Sequence, residues 1–361
     1  MISPERPLPA AAITALGMVT ALGDGARPSC AALRAGIVRL AELPGISLRV
    51  EGRGPVPAVG SAVPTITGDT RGLARFASLA CAALGDLVRS AGAAAIGGAD
   101  LFLALPPSDR PGLDPRIHAE LGEALDARGP LLDLARRTRL FIGGHAALAP
   151  ALVAGMRALS EGRDGVIVGG VDSLIEPETV RFFHERGRLS IPSRRVGLLP
   201  GEGAALLLLE APARALARGA TILALLEAPA SAREAITVDT DTPCDGVGLS
   251  AAIEATLAGL DDGGAAIGLC ACDLNGEPFR SEELGHAIVR SLRQVPRPLR
   301  LRHLADCIGD TGAASMALAL ADGAMSLHLG HARTRSILCT ASSDGGLRGS
   351  AHLRATPGKE A

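Results

Sequence analysis

One histidine occupies a position where the sequence predicts a strand, a sharp turn and a helix in succession. Residues 138–142 are typical of a short strand, the glycine pair 143–144 predicts a tight turn, and His145 opens an Ala- and Leu-rich helix that ends near residue 159. A second apolar stretch, residues 166–168, predicts the strand that closes this unit. A strand, a tight turn and a helix start together expose a nucleophile or a base. Because the positive end of a helix disfavours a further positive charge, we expect His145 to be neutral.

The other residues able to act as nucleophiles or metal ligands are scattered. The seven cysteines are Cys30, Cys81, Cys244, Cys270, Cys272, Cys307 and Cys339, and no C-x-x-C pair exists. Cys270 and Cys272 are two residues apart, which places both on one face of a strand. We therefore expect buried, reduced thiols, with neither a metal site nor a disulfide framework.

Further classes of chemistry are excluded by the same survey. Lys359 is the only lysine, so a Schiff-base mechanism has no other candidate. Three glycine pairs, residues 143–144, 169–170 and 345–346, lack both the Lys-Ser/Thr ending and the G-x-G-x-x-G spacing of phosphate-binding loops. We therefore predict no cofactor. The formal net charge of −2 gives no electrostatic case for binding nucleic acid.

The composition describes the core in which such a site would lie. Hydrophobic residues make up 47% of the chain, but the six aromatic residues are all Phe. Ala, Leu, Val and Gly must therefore fill the core, which favours closely packed helices and sheets. No apolar run reaches the roughly 18 residues that span a bilayer, and the first residues do not resemble a signal peptide. We expect a cytoplasmic protein without a membrane-spanning segment.

Strands and helices are predicted to alternate along the chain, which indicates largely parallel sheets covered by helices. Residues 40–64, rich in Pro and Gly, are expected to be irregular, and residues 180–195 are a polar, basic stretch without a predicted helix. The remaining strands are predicted at residues 11–19, 99–105, 204–209, 221–228, 266–273, 300–304 and 336–342, and the remaining helices at residues 26–35, 73–90, 117–128, 212–218, 249–260, 281–293 and 313–329.

Six short motifs in a fixed order carry a resemblance to a known family. They are residues 11–23 (AAITALGMVTALG), 31–36 (AALRAG), 168–173 (VGGVDS), 200–210 with 213–220 (PGEGAALLLLE and ARALARGA), Ile308-Gly309, and 344–352 (DGGLRGSAH). On these motifs the chain resembles a beta-ketoacyl synthase of the thiolase superfamily. The resemblance implies an α/β protein with the thiolase-like fold, a five-layered αβαβα sandwich of two similar halves, residues 1–215 and 216–361. It also implies a homodimer.

The catalytic residues that the resemblance implies are replaced in this sequence. Such enzymes carry a cysteine at the helix start, which takes the acyl group, and two histidines, which stabilise the enolate oxygen after decarboxylation. His145 falls on the cysteine position, Asn275 on the first histidine and Asp310 on the second. An imidazole forms no stable thioester, and each lost oxyanion donor costs about 3 kcal/mol of transition-state stabilisation. The chain is therefore predicted to have lost the decarboxylative machinery.

If the fold is right, His145, Asn275 and Asp310 converge, and two interpretations of that cluster stay open. In the first, a neutral His145 oriented by Asp310 acts as a general base. The nucleophiles considered for it are Thr311, Cys307 and Ser343.

In the second interpretation the cluster is structural. Asp310 caps the helix at residues 313–329, Asn275-Gly276 is an ordinary turn, and His145 fills the vacated space. A metal site is disfavoured, because one histidine and one carboxylate are too few good ligands.

Three functions remain open from the sequence. The first is a catalytically degenerate binding or accessory protein, similar to thiolase-like proteins encoded beside type VI secretion effectors, with an effector or an acyl carrier protein as partner. Arg188, Arg194 and Arg195 are the candidates for contacting an acidic carrier. The second is an acyltransferase or hydrolase of acyl thioesters with a rebuilt His145/Asp310 site. The third is a partner of an active ketosynthase, of the chain-length-factor kind.

Overall fold

The computed structural model describes residues 8–52, 54–129, 133–295 and 298–356, so that Lys359 lies outside the described residues. No helix among these residues has the length and apolar character needed to cross a bilayer. The elements in chain order are β1 (Ala11–Val19), α1 (Ala26–Arg34), β2 (Ala41–Leu48), β3 (Val56–Gly60), α2 (Pro64–Thr67), α3 (Gly72–Ala91), α4 (Ala93–Ile96), β4 (Asp100–Leu105), α5 (Arg116–Arg128), α6 (Leu134–Arg137), β5 (Thr138–Ile142), α7 (Leu148–Ser160), β6 (Val166–Ser173), α8 (Pro177–Glu185), β7 (Glu202–Glu210), α9 (Pro212–Ala217), β8 (Ala224–Arg233), α10 (Val247–Ala258), β9 (Leu269–Cys272), α11 (Pro278–Ser291), β10 (Arg300–His303), α12 (Ala305–Ile308), a 3-10 turn (Gly312–Ala314), α13 (Ser315–His328), β11 (Ser336–Ser342) and β12 (Leu347–Arg354).

The strands form a ten-stranded sheet whose two halves repeat one arrangement. The order is β10-β9-β11-β12-β8-β1-β7-β6-β4-β5, with β1 and β8 paired antiparallel at the centre. The hairpin strands β2 and β3 form a separate sheet, so each half contributes five strands to the large sheet. From the centre outward, the first half runs β1, β7, β6, β4, β5 and the second half runs β8, β12, β11, β9, β10, which is the same order of chain positions. The inner pairs β6–β7 and β11–β12 are antiparallel, whereas β4–β5 and β9–β10 are parallel. The predicted division of the chain at residue 215 stays a prediction, and that residue lies within α9.

Two helices are sandwiched between the halves of the sheet. Helices α7 and α13 each contact strands of both halves, and their apolar residues belong to the largest core cluster. Helices α3 and α5 cover the outer face of the first half, and α10 and α11 cover that of the second. Small residues permit this packing: a Cβ on Gly170 of β6 would lie 2.4 Å from the backbone oxygen of Ala313. The turn before α13 is therefore seated directly on the sheet.

Two sequence predictions are corrected beside the sheet. Residues 40–64, expected to be irregular, contain the hairpin β2–β3, and residues 177–185 form the helix α8. The pairing register of β2 shifts between Glu42 and Ser47, around Pro44 and Gly45. The apolar residues of this strand therefore do not alternate regularly in the sequence. Leu43 and Ile46 of the hairpin are buried in a small separate cluster with Phe183 of α8. Tertiary burial of a few apolar side chains thus decides both elements.

The prediction of buried thiols holds for five of the cysteines, whereas Cys81 and Cys307 are only half-buried. All seven are free thiols in the structure. Cys270 and Cys272 lie on β9 in the same core cluster, as their spacing predicts. Burial raises the pKa of the Cys30 and Cys339 thiols well above the usual range, so that neither is a ready nucleophile at neutral pH.

Candidate functional site

The turn before α7 places His145 at the head of a central helix. The backbone N–H groups of Gly143 and Gly144 both donate to the Leu105 carbonyl oxygen, at 3.0 Å each. Gly144 has φ +82°, a left-handed conformation that favours glycine. The α-helix begins only at Leu148, so the prediction that His145 itself opens the helix is wrong by three residues. The residues between them form a tighter turn closed by the hydrogen bond from Ala147 N to Gly144 O at 2.9 Å.

The loop before α13 places Asp310 at the equivalent point of the second half. Its backbone N–H donates to Leu199 O and its carbonyl accepts from Gly201 N, both at 2.7 Å. A Cβ on Gly201 would lie 2.2 Å from Ile308 O, so glycine is needed where these two loops approach each other. The Asp310 carboxylate also accepts the N–H of Gly312 at 2.8 Å, a local turn contact just before α13.

The three residues singled out in the sequence meet between these loops. His145 Nε2 lies 2.7 Å from Asp310 Oδ1, and Asn275 Nδ2 donates to Asp310 Oδ2 at 2.6 Å. Each residue is less than 9% exposed. Asp310 therefore bonds the turn before α13 and pairs with His145 at the same time. The predicted cap of the helix at residues 313–329 is wrong, since Ala314 is the N-cap residue of α13 and no side chain caps it. Asn275 is more than a turn residue, since its amide spans Asp310 and Glu277.

An arginine that the sequence analysis overlooked completes the cluster. The Arg280 Nη2 atom lies 3.4 Å from both ring nitrogens of His145, so the guanidinium faces the imidazole. Arg280 is held by Asp273 at 2.7 Å and by Asp344 at 3.1 Å, and it also donates to the Ser342 carbonyl oxygen. It lies in the first turn of α11, and no local pattern distinguishes it from the other arginines.

Arg188, a candidate for contacting a carrier protein, belongs instead to this buried network. Its guanidinium donates to Glu277 at 2.6 and 3.0 Å and to Asp344 at 2.8 Å. Only 10% of its side chain is exposed. Arg194 is also engaged, since it donates to the Leu189 carbonyl oxygen at 3.0 Å. Arg188 is therefore not part of the predicted basic surface, because Glu277 and Asp344 already neutralise its charge.

The charges of the cluster stabilise one another. Burial has the largest single influence and lowers the pKa of His145, but the charge and hydrogen bond of Asp310 and the charge of Asp273 raise it, and the net shift is upward. Burial raises the pKa of Asp310, but the charge and hydrogen bond of His145 hold it far below its usual range. Asp344, beside Arg188 and Arg280, has a pKa of about 2 despite its burial. The direction of the His145 shift opposes the expectation of a neutral imidazole.

The nucleophiles considered from the sequence are not coupled to the imidazole. Ser343 Oγ accepts the Ala146 N–H at 2.9 Å, and Thr311 Oγ1 bonds the Ser315 hydroxyl at 3.0 Å. Burial raises the pKa of the Cys307 thiol. No hydrogen bond among the described residues joins any of these three groups to His145, whose ring nitrogens face Asp310 and Arg280.

A small cavity opens beside His145. Its volume is about 190 Å³, and its wall includes Phe182, Phe183, Arg110 and the Gly143–Gly144 turn. The Arg110 guanidinium pairs with Asp172 at 2.8 Å, and its Nε has no hydrogen-bond partner. The cavity is below the usual volume of a site for a drug-sized ligand. It could therefore hold only a small group or the end of a longer one.

One group of side chains has the composition of a metal site. Glu234, Cys244 and Glu283 place ligand atoms within 4.8 Å of one another. However, Arg348 donates to Glu283 at 2.6 Å, and Glu234 accepts the Gly248 N–H at 2.7 Å. The carboxylates already have partners, and the neighbouring guanidinium opposes a cation. We assign no metal or cofactor to this group.

The fold agrees with that of known ketosynthases. The chain has the thiolase-like α/β fold that the sequence predicts, because solved ketosynthase structures superpose on nearly all of it. A ketosynthase/chain length factor from ishigamide biosynthesis is 19% identical with a TM-score of 0.75, over 96% of this chain and 99% of that chain. A type II PKS acyl-carrier protein complex with its ketosynthase bound to the hexaketide is 17% identical with a TM-score of 0.76, over 97% and 100%.

A third solved structure has the same fold within a longer chain. The oxazolomycin ketosynthase domain of Streptomyces albus JA3453 is 16% identical with a TM-score of 0.74, over 97% of this chain and 75% of that chain. No protein-family model matches the sequence, and neither does any curated protein. At these identities the likeness establishes the fold and leaves the function to the site.

Proposed function

We propose that this protein is a non-catalytic ketosynthase-like subunit that acts by pairing with another protein, in the manner of a chain length factor. One observation carries the proposal: the cluster of His145, Asp310, Asn275 and Arg280 fills the meeting point of the two central helices with paired charges. A site built for nucleophilic attack would leave one group there unpaired and activated.

The charges also oppose the reaction that the resemblance implies. Decarboxylative condensation develops negative charge on an oxygen, which needs hydrogen-bond donors aimed at it. Asp310 has a pKa far below its usual range and is anionic, so it would repel that charge. Asn275 has committed its amide to Asp310 and Glu277, and its donors point away from any substrate in the cavity.

The edge of the sheet supplies a surface for pairing. Strand β5 is the last strand of the ten-stranded order and is hydrogen-bonded to β4 on one side. Its Ile142 side chain is 49% exposed, and an open edge strand is a template for pairing with another chain. We propose a dimer through β5, either of two copies of this chain or with an active ketosynthase.

The solved relatives support protein partners of this kind. One is a ketosynthase/chain length factor, and another is a ketosynthase with its acyl-carrier protein. A secretion effector, the other partner predicted from the sequence, is favoured by no contact or comparison described above and stays a prediction.

The rebuilt acyl-thioester enzyme is the second candidate, and the cavity beside His145 favours it. The chemistry would require His145 to take a proton from a hydroxyl or from water. Intact-protein mass spectrometry with acetyl-CoA, malonyl-CoA and an acyl-carrier thioester, with thioester loss followed in parallel, separates the two candidates. We expect neither a covalent adduct nor turnover. Turnover abolished by His145→Ala, but retained in the matched variant His118→Ala on α5, would establish the enzyme and overturn the non-catalytic proposal.

The pairing surface has its own test. Analytical ultracentrifugation of the protein, alone and mixed with a ketosynthase from the same genome, measures association. We expect Ile142→Asp to abolish it, since a buried unpaired carboxylate is costly. Leu216→Asp on α9 is the matched control, because Leu216 is also exposed, at 67%. A monomer under all conditions, or equal effects of both variants, would contradict pairing through β5.

A further inference from the structure

A second and larger cavity lies at the opposite end of α13 from the His145 cluster. Its volume is about 670 Å³, within the range of sites that bind small molecules. Asp310 and Gly312 precede the first turn of α13, whereas Met325 and Leu329, near its last turn, line this cavity. The 14 residues of α13 span about 21 Å, so the two cavities are separate.

The floor of the larger cavity is apolar. Leu16 of β1 is 1% exposed, Cys30 of α1 is 5% exposed and Met325 of α13 is 9% exposed, and all three line it together with Leu223. Burial raises the pKa of the Cys30 thiol well above its usual range, so this residue contributes apolar surface and no anion. Such a floor would bind a hydrocarbon group through the hydrophobic effect.

The rim of the same cavity is cationic. Arg27 and Arg34 of α1 and Arg89 of α3 line it, against one carboxylate, Asp86. Asp86 is committed to the fold, because its Oδ2 accepts the backbone N–H groups of Met18 and Ala26 at 3.1 and 2.8 Å, and its Oδ1 pairs with Arg89 at 3.4 Å. The remaining balance of formal charge at the rim is positive.

Two side chains at the rim, Arg34 and His331, are in contact and both carry hydrogen-bond donors. Arg34 Nη1 lies 2.7 Å from His331 Nδ1. A guanidinium can only donate, so Nδ1 is the acceptor and the ring proton is carried by Nε2. Arg34 and His331 are thereby paired as two donors beside one cavity, which suits the oxygens of a carboxylate or a phosphate.

We propose that this cleft binds an amphipathic anion, with a carboxylate or phosphate head at the arginine rim and a hydrocarbon chain on the apolar floor. The inference is independent of pairing through β5 and of any activity at His145. It assigns to the chain a ligand site that the ketosynthase-like cluster does not require.

Calorimetric titration of the whole protein tests the proposal with four probes used below their aggregation limits. Decanoate and decyl phosphate carry the two kinds of head, 1-decanol is the uncharged match, and inorganic phosphate is a head alone. We expect at least one of the two anionic chains to bind at one equivalent. We expect 1-decanol and inorganic phosphate each to bind at least about tenfold more weakly, since a charge-assisted contact is lost in one and the apolar contact in the other. The stronger of decanoate and decyl phosphate identifies the head.

Variants locate the site. Arg34→Gln should weaken binding of the anionic chain about tenfold, and Ala31→Trp, an exposed α1 position that lines the cleft, should block it. Arg136→Gln, an exposed arginine on α6, is the matched control and should leave binding unchanged. Binding of 1-decanol as tightly as the stronger of the two anionic chains, no binding of either anion at about 1 mM, or equal effects of Arg34→Gln and Arg136→Gln would overturn the proposal.

Discussion

The two central helices begin in equivalent places and are equipped with opposite charges. Helix α7 follows the third strand of the first half and is preceded by His145, whereas α13 follows the third strand of the second half and is preceded by Asp310. Both loops carry a glycine of positive φ, Gly144 and Gly312. The two side chains meet at 2.7 Å. The repeated architecture therefore brings the starts of α7 and α13 together. The side chains at these two positions decide whether the site is reactive or, as here, whether the two side chains pair with each other.

The two starts also differ in how firmly each side chain is held. Asp310 accepts bonds from His145, Asn275 and the Gly312 N–H, and the helix start favours its negative charge. His145 has one close hydrogen bond and faces Arg280, which opposes its positive charge. The carboxylate is thus the centre of the cluster, and the imidazole is its most replaceable member.

The largest loss of stability is expected when the Asp310 carboxylate is removed. Asp310→Ala removes the carboxylate that pairs with the buried His145 and one of the two carboxylates that accept from Asn275, so we expect the free energy of unfolding to fall by about 3–5 kcal/mol. Urea denaturation measures it. The matched variant Asp306→Ala removes a carboxylate that is 69% exposed, and it should change stability by less than about 0.5 kcal/mol. Equal effects of the two variants would show that the cluster does not stabilise the fold.

The two glycines should respond unequally to the same change. Alanine at either position lowers the stability by about 1–2 kcal/mol, because it must adopt a left-handed backbone conformation. A Cβ on Gly312 would also lie 2.1 Å from Asp172 Oδ2, whereas on Gly144 the nearest atom, Ser343 Oγ, would be 3.4 Å away. Gly312→Ala should therefore cost about 1–3 kcal/mol more than Gly144→Ala in thermal or urea unfolding. A larger loss for Gly144→Ala would reverse this comparison of the two loops.

Removal of the imidazole should cost less than removal of the carboxylate. After His145→Ala, Asp310 keeps Asn275, the Gly312 N–H and the nearby Arg280 charge. We expect a loss of about 1–3 kcal/mol in the free energy of unfolding. His118→Ala, which removes one contact to the Pro106 carbonyl oxygen, serves as the control. A loss at His145 as large as that of Asp310→Ala would make the pair symmetric.

The smallest effect is a change with pH in the contribution of the His145 imidazole to the free energy of unfolding. The folded pKa of His145 is raised above its ordinary value of 6.5, so its contribution to stability is complete below that value. It is lost as the pH rises through the folded pKa. The difference in unfolding free energy between the native protein and His145→Gln should therefore shrink as the pH rises above 6.5. A difference that grows with pH would indicate a neutral ring in the folded protein.

Much of the fold could be predicted from short-range patterns. Strands such as β1 and β5 and helices such as α3 and α5 lie where apolar spacing and glycines predict them, within one or two residues. The β2–β3 hairpin and α8 could not, because their buried side chains contact each other and leave no regular period within either segment. Local spacing predicts an element only when that element's own face is the buried one.

The sequence by itself determined the residue types at the head of each central helix, an imidazole before α7 and a carboxylate before α13. Only the tertiary structure decided what these residues do. His145 and Asp310 are 165 residues apart, and Arg280 approaches His145 from a third element 135 residues away. The charge state of a buried group depends on the nearest opposite charge, and that distance is a property of the packed layers.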